Sequence, residues 1–64
     1  MAFTLYEIWS EDADRRQELI DTAANLPEAI RIAKNSIGDE ITQTVIFEEG
    51  QDGEVFEIKR FRKD

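Results

Sequence analysis

The side chains able to support catalysis in this 64-residue chain are almost all carboxylates. The sequence has 15 Asp and Glu residues but no His and no Cys, so the Ser-His-Asp and Cys-His arrangements of nucleophilic catalysis are absent. Acid–base chemistry would then need a carboxylate with a strongly shifted pKa. The densest acidic cluster, in residues 48–54, has the composition of an exposed hairpin tip and lacks the enclosed environment that such a carboxylate needs. We therefore expect a protein without a catalytic site.

The acidic segments and the glycines match known metal and phosphate motifs only in part. Asp12 and Asp14 have the spacing of the first two ligands of a calcium loop, but the fifth position is Arg16 and no glycine follows in register. Weak calcium binding by these acidic loops stays open. The 3 glycines fit neither nucleotide-binding spacing. The sequence predicts no dedicated metal site and no cofactor.

Charge is unevenly distributed along the chain. The net charge is −7, made up of −10 in residues 1–58 and +3 in residues 59–64. An acidic body repels nucleic acid and anionic membranes, so we expect neither as a partner. The basic end consists of Lys59, Arg60, Arg62 and Lys63 around Phe61. We favour pairing of these cations with glutamates of neighbouring strands, such as Glu7, Glu48 or Glu57, over nucleic-acid contact or a docking patch for an acidic protein.

One helix is clearly marked within "TAANLPEAIRIAKNSI", residues 22–37. Asn25 is a good N-cap and Pro27 suits the first turn. Helical spacing predicts a buried stripe along that helix, made up of Leu26, Ile30, Ala33 and Ile37. Gly38 is placed to close the helix in the left-handed conformation. Such a helix is expected to cover one face of a sheet.

Strand signals surround this helix. They cover residues 3–10, 42–48 and 54–61, and "EGQDGE" has the glycines of a hairpin turn. Residues 17–23 fit either a strand, with Leu19 and Ala23 on one face, or a helix that begins near Ser10. We favour the strand. Phe61 is out of phase with the rest of its strand, which predicts a bulge near Lys59 and Arg60.

The resulting prediction is a single small α+β domain over residues 1–64: an antiparallel sheet with one helix on one face, in the order β-β-α-β-β. The alternative order is β-α-α-β-β. "IDTAANLPEAIRIA" is similar in outline to a small phage-encoded inhibitor of bacterial RNA polymerase, in which a hairpin leads into an alanine-rich helix. The chain differs from it by a second hairpin after the helix, and the resemblance assigns no functional residues.

The first strand has apolar side chains on both of its faces, whereas one helix covers only one face of a sheet. Exposed aromatic side chains of this kind mark interaction surfaces. The predicted interaction surface consists of Phe3, Tyr6, Trp9, Lys59, Arg60, Phe61 and Arg62.

The functional prediction is a non-enzymatic protein–protein interaction module whose partner is another protein or a second copy of the chain, a homodimer through the open sheet face. The alternative is an acidic charge mimic that occupies a basic, nucleic-acid-binding surface of another protein. The N-terminal residues lack a basic leader and a long apolar run, so a cytoplasmic location is the default expectation.

Overall fold

The computed structural model describes residues 5–63 and shows two hairpins with a helix between them. The strands are β1 (Leu5–Glu11), β2 (Gln17–Ala23), β3 (Gln43–Glu49) and β4 (Val55–Arg62), and α1 (Leu26–Ser36) joins β2 to β3. The predicted order β-β-α-β-β is confirmed. Within the described residues, no helix is long and apolar enough to cross a bilayer.

The β1–β2 turn explains why residues 17–23 form a strand. The Asp12 carboxylate accepts hydrogen bonds from the amides of Asp14 and Arg16, both at 2.9 Å, and Arg15 has a positive φ of 66°. An Asp that bonds amides two residues further on reverses the chain locally. The reversal sends residues 17–23 back along β1 instead of letting a helix continue from Ser10.

The four strands form one antiparallel sheet in the order β2-β1-β3-β4. The N-terminal strand β1 therefore lies inside the sheet, as its two apolar faces predict. The edges are β2 and β4. The β3–β4 turn uses Gly53 at φ 78°, where an L side chain would be strained.

The helix begins as predicted but ends differently. The Asn25 side chain accepts a hydrogen bond from the Glu28 amide at 2.9 Å. At the other end the prediction of a left-handed cap at Gly38 is wrong, because Ile37 is extended with ψ 130° and Gly53 is the glycine with a positive φ among the described residues. The Ile37 amide donates to the Lys34 carbonyl, so the chain leaves α1 without needing a glycine.

Two alanines form the contact between helix and sheet. Ala29 and Ala33 are completely buried against Ile8 of β1 and Ile46 of β3, which are also completely buried. A side chain of one carbon keeps the helix close to the sheet. Of the predicted stripe, Leu26, Ile30 and Ala33 pack in this core, but Ile37 does not belong to it and Ile32 does.

Both edge strands contain a β-bulge. In β2 the register shifts opposite Ile8 and Trp9, which makes Ile20 the extra residue. In β4 it shifts opposite Ile46 and Phe47, which makes Ile58 the extra residue, next to the predicted position. The prediction that Leu19 and Ala23 share one face of the sheet is wrong because of the β2 bulge. Ala23 packs in the core with Ile20, whereas Leu19 lies on the other face and is 47% exposed.

Candidate interaction surface

The face of the sheet opposite α1 is hereafter called the open face. Residues directly opposite each other in antiparallel strands share a face, so the pairing register defines its members. They are Gln17, Leu19 and Thr22 of β2, Leu5, Glu7, Trp9 and Glu11 of β1, Gln43, Val45, Phe47 and Glu49 of β3, and Val55, Glu57, Arg60 and Arg62 of β4. No described secondary-structure element packs on this face.

The centre of the open face is apolar. The rings of Trp9 and Phe47 meet edge to face, with centroids 6.4 Å apart and planes at 88°. Val45 lies between Trp9 and Arg60 in the register and is completely buried, although no second layer covers it. Towards the sheet edges, Leu19 and Val55 are about half exposed. These side chains thus form a small second apolar cluster. Its centre is buried, and its margins are exposed to solvent.

One end of the open face carries a polar network across all four strands. Glu11 accepts hydrogen bonds from the side-chain amides of Gln17 and Gln43 and from the guanidinium of Arg60. The Glu11 side chain is 13% exposed, so its charge is largely removed from water and is compensated by these donors. This network holds the ends of the strands in register.

Arg60 also binds Glu57 on its own strand. Its Nη2 lies 2.7 Å from Glu57 Oε1, and this hydrogen bond lowers the pKa of Glu57 below the ordinary value, aided by the positive charge of Arg60. The same pair, with Glu11, raises the pKa of Arg60. Glu57 and Glu11 therefore favour the charged form of Arg60.

The structure divides the predicted interaction surface between the two faces. Trp9, Arg60 and Arg62 lie on the open face. Tyr6 and Phe61 pack against the core beneath α1. Phe3 lies outside the described residues.

Phe61 lies on the face of the sheet that α1 covers, hereafter called the covered side. Two cations contact its ring. The ammonium groups of Lys34 and Lys59 lie 5.5 Å and 5.8 Å from the centre of its ring, within the range of cation–π attraction. Lys34 belongs to α1, so Lys59 and Phe61 turn towards the helix. The bulge at Ile58 causes this, because one extra residue reverses the side of the sheet that each later residue occupies.

Tyr6 lies on the covered side opposite Glu48. Partial burial, followed by the neighbouring negative charge of Glu48, raises the pKa of the Tyr6 phenol above its ordinary value. Both effects disfavour the phenolate. Tyr6 is thus a neutral residue at the border of the core and not part of an exposed aromatic patch.

Sequence reasoning missed the residues that complete the open face. They are Leu5, Leu19, Val45, Phe47 and Val55. The available signal was the phase of each strand, since Val45 and Phe47 alternate with Thr44 and Ile46. Assigning that phase to a face requires the register of β3 against β1, which the sequence alone does not provide.

The acidic segments form no dense ligand cluster. Among residues 5–63, no three Asp or Glu side chains are grouped so that they could hold a metal ion. Asp12, the best candidate, already uses its carboxylate to close the β1–β2 turn. A concavity of about 440 Å³ beside this turn mixes the carboxylates of Glu18 and Glu40 with Arg16.

Comparison of this chain with protein-family models, with characterised proteins and with solved structures finds no significant match. The interpretation of the surface therefore depends on its geometry and charge.

Proposed function

We propose that this chain is a non-enzymatic protein–protein interaction module that binds its partner through the open face. The observation that carries the proposal is the apolar margin of this face, where Leu19 and Val55 are 47% and 48% exposed around the Trp9–Phe47 pair. Large apolar side chains that surround a packed aromatic centre on an unpartnered sheet are typical of protein interfaces.

The polar side chains of the open face support the same proposal. Arg60, Glu11 and Trp9 already have hydrogen-bond partners within the chain. A protein that covers them leaves few groups without partners, which keeps the desolvation cost of binding low. Enzyme chemistry has no comparable support, because the chain has no His and no Cys and the carboxylates of Asp12 and Glu57 are already bound by turn amides and by Arg60.

The test is site-specific photocrosslinking in the cells that produce the protein. A photoreactive side chain replaces Leu19 on the open face, and the matched control carries it at Arg31, which is exposed on α1. We expect a discrete crosslinked protein product from position 19 and at most diffuse products from position 31. Equal patterns from both positions would contradict the proposal.

A second candidate function is that of an acidic charge mimic. The −10 charge of residues 1–58 favours it, as do the exposed acids Asp14, Asp39 and Asp52 on three separate loops. Such a protein would displace DNA or RNA from a basic protein surface. Raising the salt concentration would weaken this displacement, because salt screens the charges. Displacement that stays unchanged between low and high salt would refute this mechanism.

A further inference from the structure

We propose that the occupant of the open face is the open face of a second copy of this chain. The two copies would be related by a two-fold axis that runs across the strands, which gives a helix–sheet–sheet–helix homodimer. This inference rests on the proposed function, because it names the partner of the same surface. It follows from the edges of the sheet, the size of the face and the position of its charges.

The edges of the sheet are poorly suited to pairing with another chain. Each edge strand carries a bulge, at Ile20 in β2 and at Ile58 in β4. Bulges and charged side chains on edge strands are the usual protection against strand addition. Association is therefore directed to the open face.

The size of the open face fits a small, reversible dimer. Four strands about 4.8 Å apart and seven residues long at about 3.3 Å per residue make a face of roughly 20 by 23 Å. Its area is about half of the ~800 Å² that each partner buries in a standard interface, and protruding side chains increase it. A second copy presents a face of matching size and the twist that lets two sheets stack at about 30°.

The charges of the open face are divided between its two ends. Glu7, Glu49 and Glu57 lie towards the end that contains Leu5 and Val55. Arg60 and Arg62 lie towards the other end, where Glu11 is the single acid. The face thus has an acidic end and a basic end.

This division selects the symmetry axis. Rotation about an axis across the strands places the basic end of one copy over the acidic end of the other, twice in one dimer. Rotation about an axis along the strands would instead place the two acidic ends, each with three glutamates, over each other. In the preferred arrangement Arg62 of each copy lies over Val55 of the other, beside Glu49 and Glu57, and Phe47 meets Val45.

The first experiment measures the mass by sedimentation equilibrium over a concentration series, with Leu19→Gln and a matched control. The control is Phe56→Gln, because Phe56 is 54% exposed but pairs with Glu48 on the opposite face. We expect a dimer with a dissociation constant in about the micromolar range. Leu19→Gln should raise this constant about tenfold, because the two-fold symmetric dimer loses one apolar contact from each copy. Phe56→Gln should leave it unchanged.

The second experiment is a charge exchange. Arg62→Glu and Glu49→Arg should each weaken the dimer, and the double variant should restore it. Within one chain these residues lie at opposite ends of the sheet, since Arg62 pairs with Gln43 and Glu49 pairs with Val55. Recovery in the double variant therefore reports contact between copies. Arg31→Glu on α1 is the control and should have no effect.

Three results would overturn the inference: a wild-type monomer up to about 1 mM, a dimer that Leu19→Gln leaves intact, or a charge exchange without recovery. The crosslinking at position 19 separates these results from failure of the proposed function. A monomeric protein that still gives a crosslinked product from the open face retains the interaction module and has a different partner.

Discussion

Among the described residues, Thr44 has the polar side chain that is completely buried. Removing its hydroxyl is the sharpest test of how α1 is attached to the sheet. Its hydroxyl donates to the carbonyl of Ala33 at 3.1 Å. That carbonyl lies in the last turn of the helix, where carbonyls have no intrahelical partner. The Ile37 amide, which would bond it in a continuing helix, donates to Lys34 instead. A strand side chain therefore caps the helix.

The perturbation is Thr44→Val, which keeps the shape of the side chain and removes the hydroxyl. An unsatisfied buried carbonyl costs about 1–3 kcal/mol. A domain of this size has about 3–5 kcal/mol of stability in total, so the variant should lose a large part of it. With an m-value of about 1 kcal/mol per M of urea, the unfolding midpoint should fall by about 1–3 M.

The assay is urea unfolding followed by the fluorescence of Trp9, the single tryptophan. Thr42→Val is the matched control, because Thr42 is exposed immediately before β3 and is not a member of the open face. It should change the free energy of unfolding by less than about 0.5 kcal/mol. Valine is apolar and favours strands. If Thr44→Val is as stable as the wild type or more stable, the hydroxyl does not cap the helix and the reasoning is wrong.

Three further predictions concern single sites. A titration followed by the absorbance of the single tyrosine should give Tyr6 a pKa above 10, and Glu48→Gln should lower this pKa. Because the pKa is raised in the folded state, Tyr6 contributes stability below about pH 10, and this stability is lost as the pH rises through the folded-state pKa. Glu57 has a lowered pKa, so it contributes stability above about pH 4.3 that disappears in acid; Glu57→Gln should be less stable than the wild type at pH 7, and urea titrations should show the difference closing below about pH 4. Asn25→Ala should lower the free energy of unfolding by about 1 kcal/mol, and Asn25→Asp should restore most of it, as measured by urea unfolding.

Local chemistry accounts for the parts of the fold that were predicted correctly. Asn25 and Pro27 fix the start of α1 through groups within one turn of each other, and Asp12 closes the first turn through its own neighbouring amides. The end of α1 depends on Thr44, eight residues beyond Ser36. Because that hydrogen bond joins distant parts of the chain, Gly38 was the natural but wrong candidate for the cap.

The candidate surface shows the same division between local and distant information. That one face of the sheet would lack a helix follows from counting elements, and Trp9 was correctly expected on a strand inside the sheet. The phase of the last strand was not predictable in the same way. A single extra residue at Ile58 sends Lys59 and Phe61 to the covered side and leaves Arg60 and Arg62 on the open face.

By itself, the sequence determined the elements and their order, because caps, turns and alternation act over a few residues, and it showed that the chain has no His and no Cys. Only the tertiary structure decided which side chains share a face. That assignment depends on strand register and on two bulges, and a shift of one residue in either moves every later side chain to the opposite side of the sheet.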